Sequence, residues 1–191
     1  IKQGSPAAIA QMVSNGEADI AIVTERIDDH PELSKLTCDE WNHAVIVPKE
    51  HPLLECMNPL SIEDLASFPL ITYEFAFNQG SSIARAFNKA HLDNPDVVLS
   101  AADTDVLKTY VRLGLGVGLM AKMAFDPEKD ADLELVDAAH LFEPSPIWIA
   151  VRSDTYLRGY TYDFIEMFSP KLTRDVVDRI LYTPVVEDFS I

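Results

Sequence analysis

The chain has 191 residues, of which 48% are hydrophobic and 9% aromatic, ample for a globular core and too apolar for a disordered segment. Lys and Arg number 15 against 31 Asp and Glu, a formal charge of −16 that repels polyphosphate and anionic lipid, so this stretch by itself is poorly suited to gripping nucleic acid or a membrane face. No run approaches the roughly 18 apolar residues of a membrane span, and Cys38 and Cys56, without a CxxC pair, read as reduced thiols in or near a core.

Ile1-Lys2-Gln3-Gly4-Ser5 begins without Met or a signal-peptide pattern, as if at the end of a strand, and the chain is expected to be a piece of a longer one. Ser5-Pro6 opens a helix carrying Ile9, Met12 and Val13, Asn15-Gly16 closes it, and residues 19–24 form a strand. Strands are expected over 33–37 and 43–47, with 38–42 as their connection and 48–53 as a proline-bounded loop. Ser61-Ile62-Glu63-Asp64-Leu65 has a capping-box shape and opens a short helix. Residues 70–73 read as a strand, Gly80-Ser81-Ser82 starts a helix through Ile83, Ala86 and Phe87, and 97–99 is a strand. The most informative stretch is 103–120, DTDVLKTYVRLGLGVGLM. An Asp103/Thr104 cap leads into a helix with Val106, Tyr110, Val111 and Leu113 at helical spacing; Gly114 stops it, and 116–120 reads as a buried, glycine-lined strand. Strands at 133–136 and 147–151 and amphipathic helices at 160–168 and 173–181 complete the chain.

Strands alternating with helices define an α/β fold, here with mainly parallel sheets. Two helix-to-strand units about a hundred residues apart suggest two similar lobes around a cleft. Residues 40–146 hold a complete βαβ set and form one subdomain, inserted into another made of 1–39 and 147–191, with crossovers near 38–41 and 145–147.

The run Gly114-Leu115-Gly116-Val117-Gly118 is G-x-G-x-G after a helix, the reverse of a dinucleotide loop, so its glycines serve turns and packing. Residues 126–132 alternate acids loosely like a calcium loop, but Ala131 stands where the turn demands glycine, and a solvated acidic loop is expected. The five histidines stand singly, mostly beside prolines or in loops, with no HxH or HxxxH pair for a metal. There is no G-x-S-x-G elbow and no Ser or Cys beside a base, which argues against an enzyme. What remains is polar groups at strand ends and helix starts: Thr24-Glu25, Trp41-Asn42 and residues 73–82, YEFAFNQGSS. Such positions suit a small polar or anionic metabolite, and equally suit plain capping of helices and turns.

The segments QGSPAAIAQMVSNGEADIAIVTE, CDEWNHAVIVPKEHPLL, FPLITYEFAFNQGSS and TDVLKTYVRLGLGVGL resemble the effector-binding domain of LysR-type transcriptional regulators. The tryptophan segment, FAFNQGSS, AADTDV and YTYDFIEMFSPKLTRDVVD resemble its CysB branch, which includes Cbl and controls sulfate assimilation and cysteine synthesis. The resemblance covers essentially the whole chain and implies two Rossmann-like α/β subdomains with an interlobe cleft, like periplasmic solute-binding proteins. It implies an acetylserine-type inducer, with sulfate or thiosulfate as opposing ligands, and no other cofactor. It implies ligand contacts at Thr24, Trp41, Tyr73, Phe75, Asn78, Gln79 and Gly80; at Asn78 an amide replaces the branch's hydroxyl, yet still donates a hydrogen bond. It further implies a cytoplasmic homo-oligomer, a dimer of this domain and a tetramer of the full protein, reaching DNA only through a winged helix-turn-helix absent here, with RNA polymerase as a further partner. The helix at Ile83–Phe87 and the C-terminal segment are expected dimer surfaces, and a periplasmic solute- or anion-binding protein is the alternative.

Overall fold

The computed structural model describes residues 1–24, 30–55 and 59–182, so expectations for Glu25 and Cys56 fall outside the described residues. The chain forms two compact units, one from Ile1–Glu40 with Pro146–Ile191 and the other from Trp41–Ser145.

The first unit holds α1 (Pro6–Ser14), β1 (Ala21–Val23) and β2 (Leu33–Trp41). The Ser5 hydroxyl accepts the Ala8 N–H, capping α1, and Gly16 follows with φ +73 to turn the chain toward β1. The second unit holds β3 (His43–Pro48), a 3-10 turn (Pro52–Glu55), α2 (Ile62–Ala66), β4 (Leu70–Tyr73), α3 (Ser82–Lys89), β5 (Val97–Ala101), α4 (Thr104–Arg112), β6 (Val117–Ala121) and β7 (Leu133–Asp137). The chain then returns through β8 (Ser145–Arg152) to α5 (Gly159–Phe168) and α6 (Arg174–Tyr182).

In the first unit three strands lie in the order β1-β8-β2, with β1 antiparallel to β8. Side-chain alternation sends Ala150 to one face, where Ala10 and Val13 of α1 meet Ala21, Val23 and Leu33. Ile149 and Val151 go to the other, with Leu36, Cys38, and Tyr162, Ile165 and Val177 of α5 and α6. Cys38 is a buried free thiol, and burial pushes its pKa up.

The second unit is a five-stranded sheet, β5-β4-β6-β3-β7. β4 runs parallel to β5 and β6, whereas β3 runs antiparallel to β6 and β7, so the sheet is mixed rather than mainly parallel. β6 and β7 run in the same direction on either side of β3, which alone opposes the other four strands. Both faces are covered. Val45 and Val47 join Leu65, Ile83 and Phe87 of α2 and α3, while Ile46 joins Leu107 and Val111 of α4.

Four expectations need correction. β2 runs nine residues to Trp41, so 38–41 is strand and only Asn42 connects it to β3. In α4 the inward face is Leu107, Lys108 and Val111, while Val106, Tyr110 and Leu113 are exposed. Lys108 is drawn in because Asp130 waits for it: its ammonium donates to that carboxylate at 2.5 Å and to the Ala124 carbonyl at 2.6 Å. The 126–132 segment is exposed as expected at Glu128, Lys129 and Asp132 but is anchored by Asp130, which is 2% exposed and salt-bridged to Lys108 and Arg112. Finally, Ile83 and Phe87, expected on a dimer surface, are 2% and 1% exposed and pack into their own unit's core.

Candidate functional site

β4 ends at Tyr73, where the ends of three elements are tied. The Tyr73 hydroxyl lies 2.9 Å from the hydroxyl of Thr104, the first residue of α4, and accepts the N–H of Ala121, the last residue of β6, at 3.4 Å. The Phe75 ring stacks on Tyr73 with centroids 5.3 Å apart and planes 5° from parallel. The following turn is held by its own backbone: Ala76 donates to the Tyr73 carbonyl at 3.0 Å and Asn78 to the Phe75 carbonyl at 3.1 Å. Ser81 locks the turn to α3, its hydroxyl donating to the Ala76 carbonyl at 2.5 Å and accepting the Ala84 N–H at 3.0 Å. Gly80 sits between with φ +87, a conformation that strains any side-chain-bearing residue. Its carbonyl accepts from the Arg85 guanidinium, which also donates to Glu143 at 2.6 Å.

Against this turn opens a cavity of about 500 Å³, lined by Tyr73, Glu74, Gln79, Gly80, Arg85 and Asn88, and continuing past Asn94 to Ser100 on β5. Its walls offer one guanidinium, carboxylates, side-chain amides and hydroxyls, groups that match a small molecule bearing both charge signs. Tyr73, Gln79 and Gly80 are thus brought together. Phe75 and Asn78 belong to the same turn without lining the cavity; Asn78 is exposed. Trp41 lies elsewhere in the second unit, 5% exposed at the end of β2, its ring 4.3 Å from that of His43, which in turn is 5.2 Å from Phe142. Thr24 is half-buried just after β1, in the first unit.

Arg85, Glu74 and Asn88 were not singled out by sequence reasoning. A signal was available: Ser81, Arg85 and Asn88 recur at i, i+4 and i+7, one face of a helix beginning at the capping serine. His43 was also missed as a buried group. It sits on β3 at 3% exposure with no partner for Nδ1, and burial pushes its pKa down to about 4, so it is neutral at pH 7. Among the described residues no group of three or more His, Cys, Asp or Glu gathers as a metal-ligand set, and no helix is long and apolar enough to cross a membrane.

Two α/β units, each a sheet flanked by helices, with a polar cavity at a strand's carboxyl end, are the mark of a ligand-binding domain. The family model described as "LysR substrate binding domain" matches residues 1–173. A CysB transcriptional regulator of Burkholderia cenocepacia is 48% identical over 181 residues, covering 95% of this chain and 57% of that protein. The cbl regulator of Klebsiella aerogenes is 40% identical over 191 residues, covering 99% of this chain and 60% of its own length. The cofactor-binding domain of the Cbl transcriptional regulator superposes with a TM-score of 0.85 at 37% identity, over 95% of this chain and 79% of that one. The chain belongs to the LysR family, as a substrate-binding domain with the two-subdomain, periplasmic-binding-protein-like α/β fold, and its relatives are of CysB and Cbl type. It spans somewhat more than half the length of those two regulators, which are not enzymes.

Proposed function

We propose that the chain is the effector-sensing part of a cytoplasmic regulator of sulfur assimilation and cysteine synthesis, which binds an acetylserine-type inducer or, in opposition, sulfate or thiosulfate. The observation that carries this reading is near-complete coverage of the chain by CysB and Cbl regulators, joined to a polar cavity beside Tyr73, Gln79 and Gly80. Phe75 stiffens the Tyr73 ring, Asn78 donates its side-chain amide, and Trp41 and Thr24 supply further ligand contacts. The effector acts by preferring one of two conformations of the regulator, because only a difference in affinity between states shifts their populations. The output reaches DNA through a winged helix-turn-helix outside this chain, in a tetramer whose effector domains pair as dimers, with RNA polymerase as a further partner. Subdomains of residues 1–39 with 147–191 and of 40–146 are the units that carry this response. A periplasmic binding protein is not favoured, because the relatives are named as transcriptional regulators.

Titration calorimetry with acetylserine on the wild-type chain and on Asn78→Ala and Thr24→Val tests the residue assignment. Each lost hydrogen bond is expected to weaken binding by about tenfold. Undiminished affinity in both variants removes those residues from the site.

A further inference from the structure

The first unit contains a second, smaller cavity of about 160 Å³, enclosed by the turn after α1 and by the loop between β8 and α5. Its size admits an inorganic ion or a small head group rather than a larger metabolite. Arg152 and Arg158 line it, as does Thr161 in the first turn of α5. α5 is ten residues long and its N-cap, Arg158, makes no side-chain cap, so the N–H groups of Gly159 and Tyr160 have no acceptor within the helix. The Thr161 side chain is the second, independent sign. Thr161 is 4% exposed, borders the cavity, and its hydroxyl has no hydrogen-bond partner among the described residues.

The charges at the walls favour an anion. Arg152 is held by Asp154 through Nε at 2.9 Å and Nη2 at 2.8 Å, which leaves Nη1 unused. That nitrogen lies over Gly16, where an added Cβ would approach it to 3.2 Å, so the glycine makes room for the guanidinium beside the cavity. Arg158 has no ion-pair partner among the described residues. The opposing carboxylate is Asp19, already occupied in accepting the Tyr160 hydroxyl at 3.1 Å. On a chain of net charge −16, two arginines balance Asp19 and Asp154 here, and Arg158 is left as the cation beside the uncapped helix start.

We infer that this cavity is an oxyanion-binding site, separate from the cavity beside Tyr73, in which the Thr161 hydroxyl and the Arg158 guanidinium, beside the uncapped start of α5, hold a small oxyanion such as a sulfate, a phosphate or a carboxylate head group. The site does not depend on the identity of the effector.

The test is an amide-resolved NMR titration of the chain with sodium sulfate, sodium phosphate and sodium acetate, against sodium chloride at matched ionic strength. Saturable shifts of the Gly159 and Tyr160 amides are expected with one or more of the oxyanions and not with chloride. The oxyanion that saturates at the lowest concentration names the head group. Arg158→Gln, at an exposed position that leaves folding intact, should weaken the response by about tenfold. Thr161→Val should do the same, and Thr161→Ser, which restores the hydroxyl, should recover it. Shifts no larger than those with chloride, or a response unchanged in both Arg158→Gln and Thr161→Val, would overturn the assignment.

Discussion

Asp130 gathers Lys108 Nζ at 2.5 Å, Arg112 Nη2 at 2.8 Å and the Asp126 N–H at 3.0 Å around a carboxylate that is 2% exposed. Burial pushes its pKa up, but the N–H group and the two cations outweigh that and hold it below the usual carboxylate range. Its contribution to stability is therefore present above the unfolded value of about 3.9 and is lost as pH falls through the lower folded value. Asp130→Ala leaves the buried Lys108 ammonium without its counter-charge and is expected to cost about 3–5 kcal/mol, read as a fall in the urea midpoint at pH 7. A change within the about 0.5 kcal/mol of an ordinary surface substitution would contradict this. His43 acts in a different window. Buried between Trp41 and Phe142, its folded pKa of about 4 lies below the ordinary 6.5, so the unfolded chain binds the proton more readily. Stability is full above pH 6.5 and falls toward pH 4, by about 2 kcal/mol at pH 5. His51, also lowered by burial, adds in the same direction. His43→Phe should narrow the difference between urea midpoints at pH 7 and pH 5; an unchanged difference counts against a buried neutral imidazole. Neither residue was legible beforehand, because a lone acid in a run of acids and a lone histidine beside an asparagine carry no local mark of burial.

At the level of elements, the glycines around β6 divide into two kinds. Gly114 has φ +74 and open space around it, so it serves the turn after α4. At Gly116 an added Cβ would lie 2.4 Å from the Pro69 carbonyl oxygen, the acceptor of the Val117 N–H at 2.8 Å. Gly116→Ala must therefore push β6 away from the chain entering β4. It is expected to cost about 1–3 kcal/mol, whereas Gly114→Ala costs about 1 kcal/mol of backbone strain. Thermal melts of the two variants check the order, and an equal or smaller drop for Gly116→Ala contradicts the close approach. Elements marked by local chemistry were readable from the chain: Ser5, Ser61, Ser81 and Asp103 all cap the helices that follow them, and β4 runs over the expected 70–73. What depended on a distant partner was not. β2 continues beyond Thr37, and the buried side of α4 turns toward a loop some twenty residues later. The turn at 73–80 was visible as a polar strand end, but Arg85 and Asn88 joined its cavity only once α3 was placed.

For the whole molecule, each unit carries helices on both faces of its own sheet, and each shows a polar cavity within itself. The relatives are named as transcriptional regulators and the matching family model as a substrate-binding domain, so the chain is read as holding a metabolite rather than altering it. The most direct test is a calorimetric titration of the chain with acetylserine, followed by recovery and chemical identification of the bound compound. Saturable binding with acetylserine recovered intact is the predicted result. No saturable heat with acetylserine, sulfate or thiosulfate, or recovery of a converted product, would contradict the account.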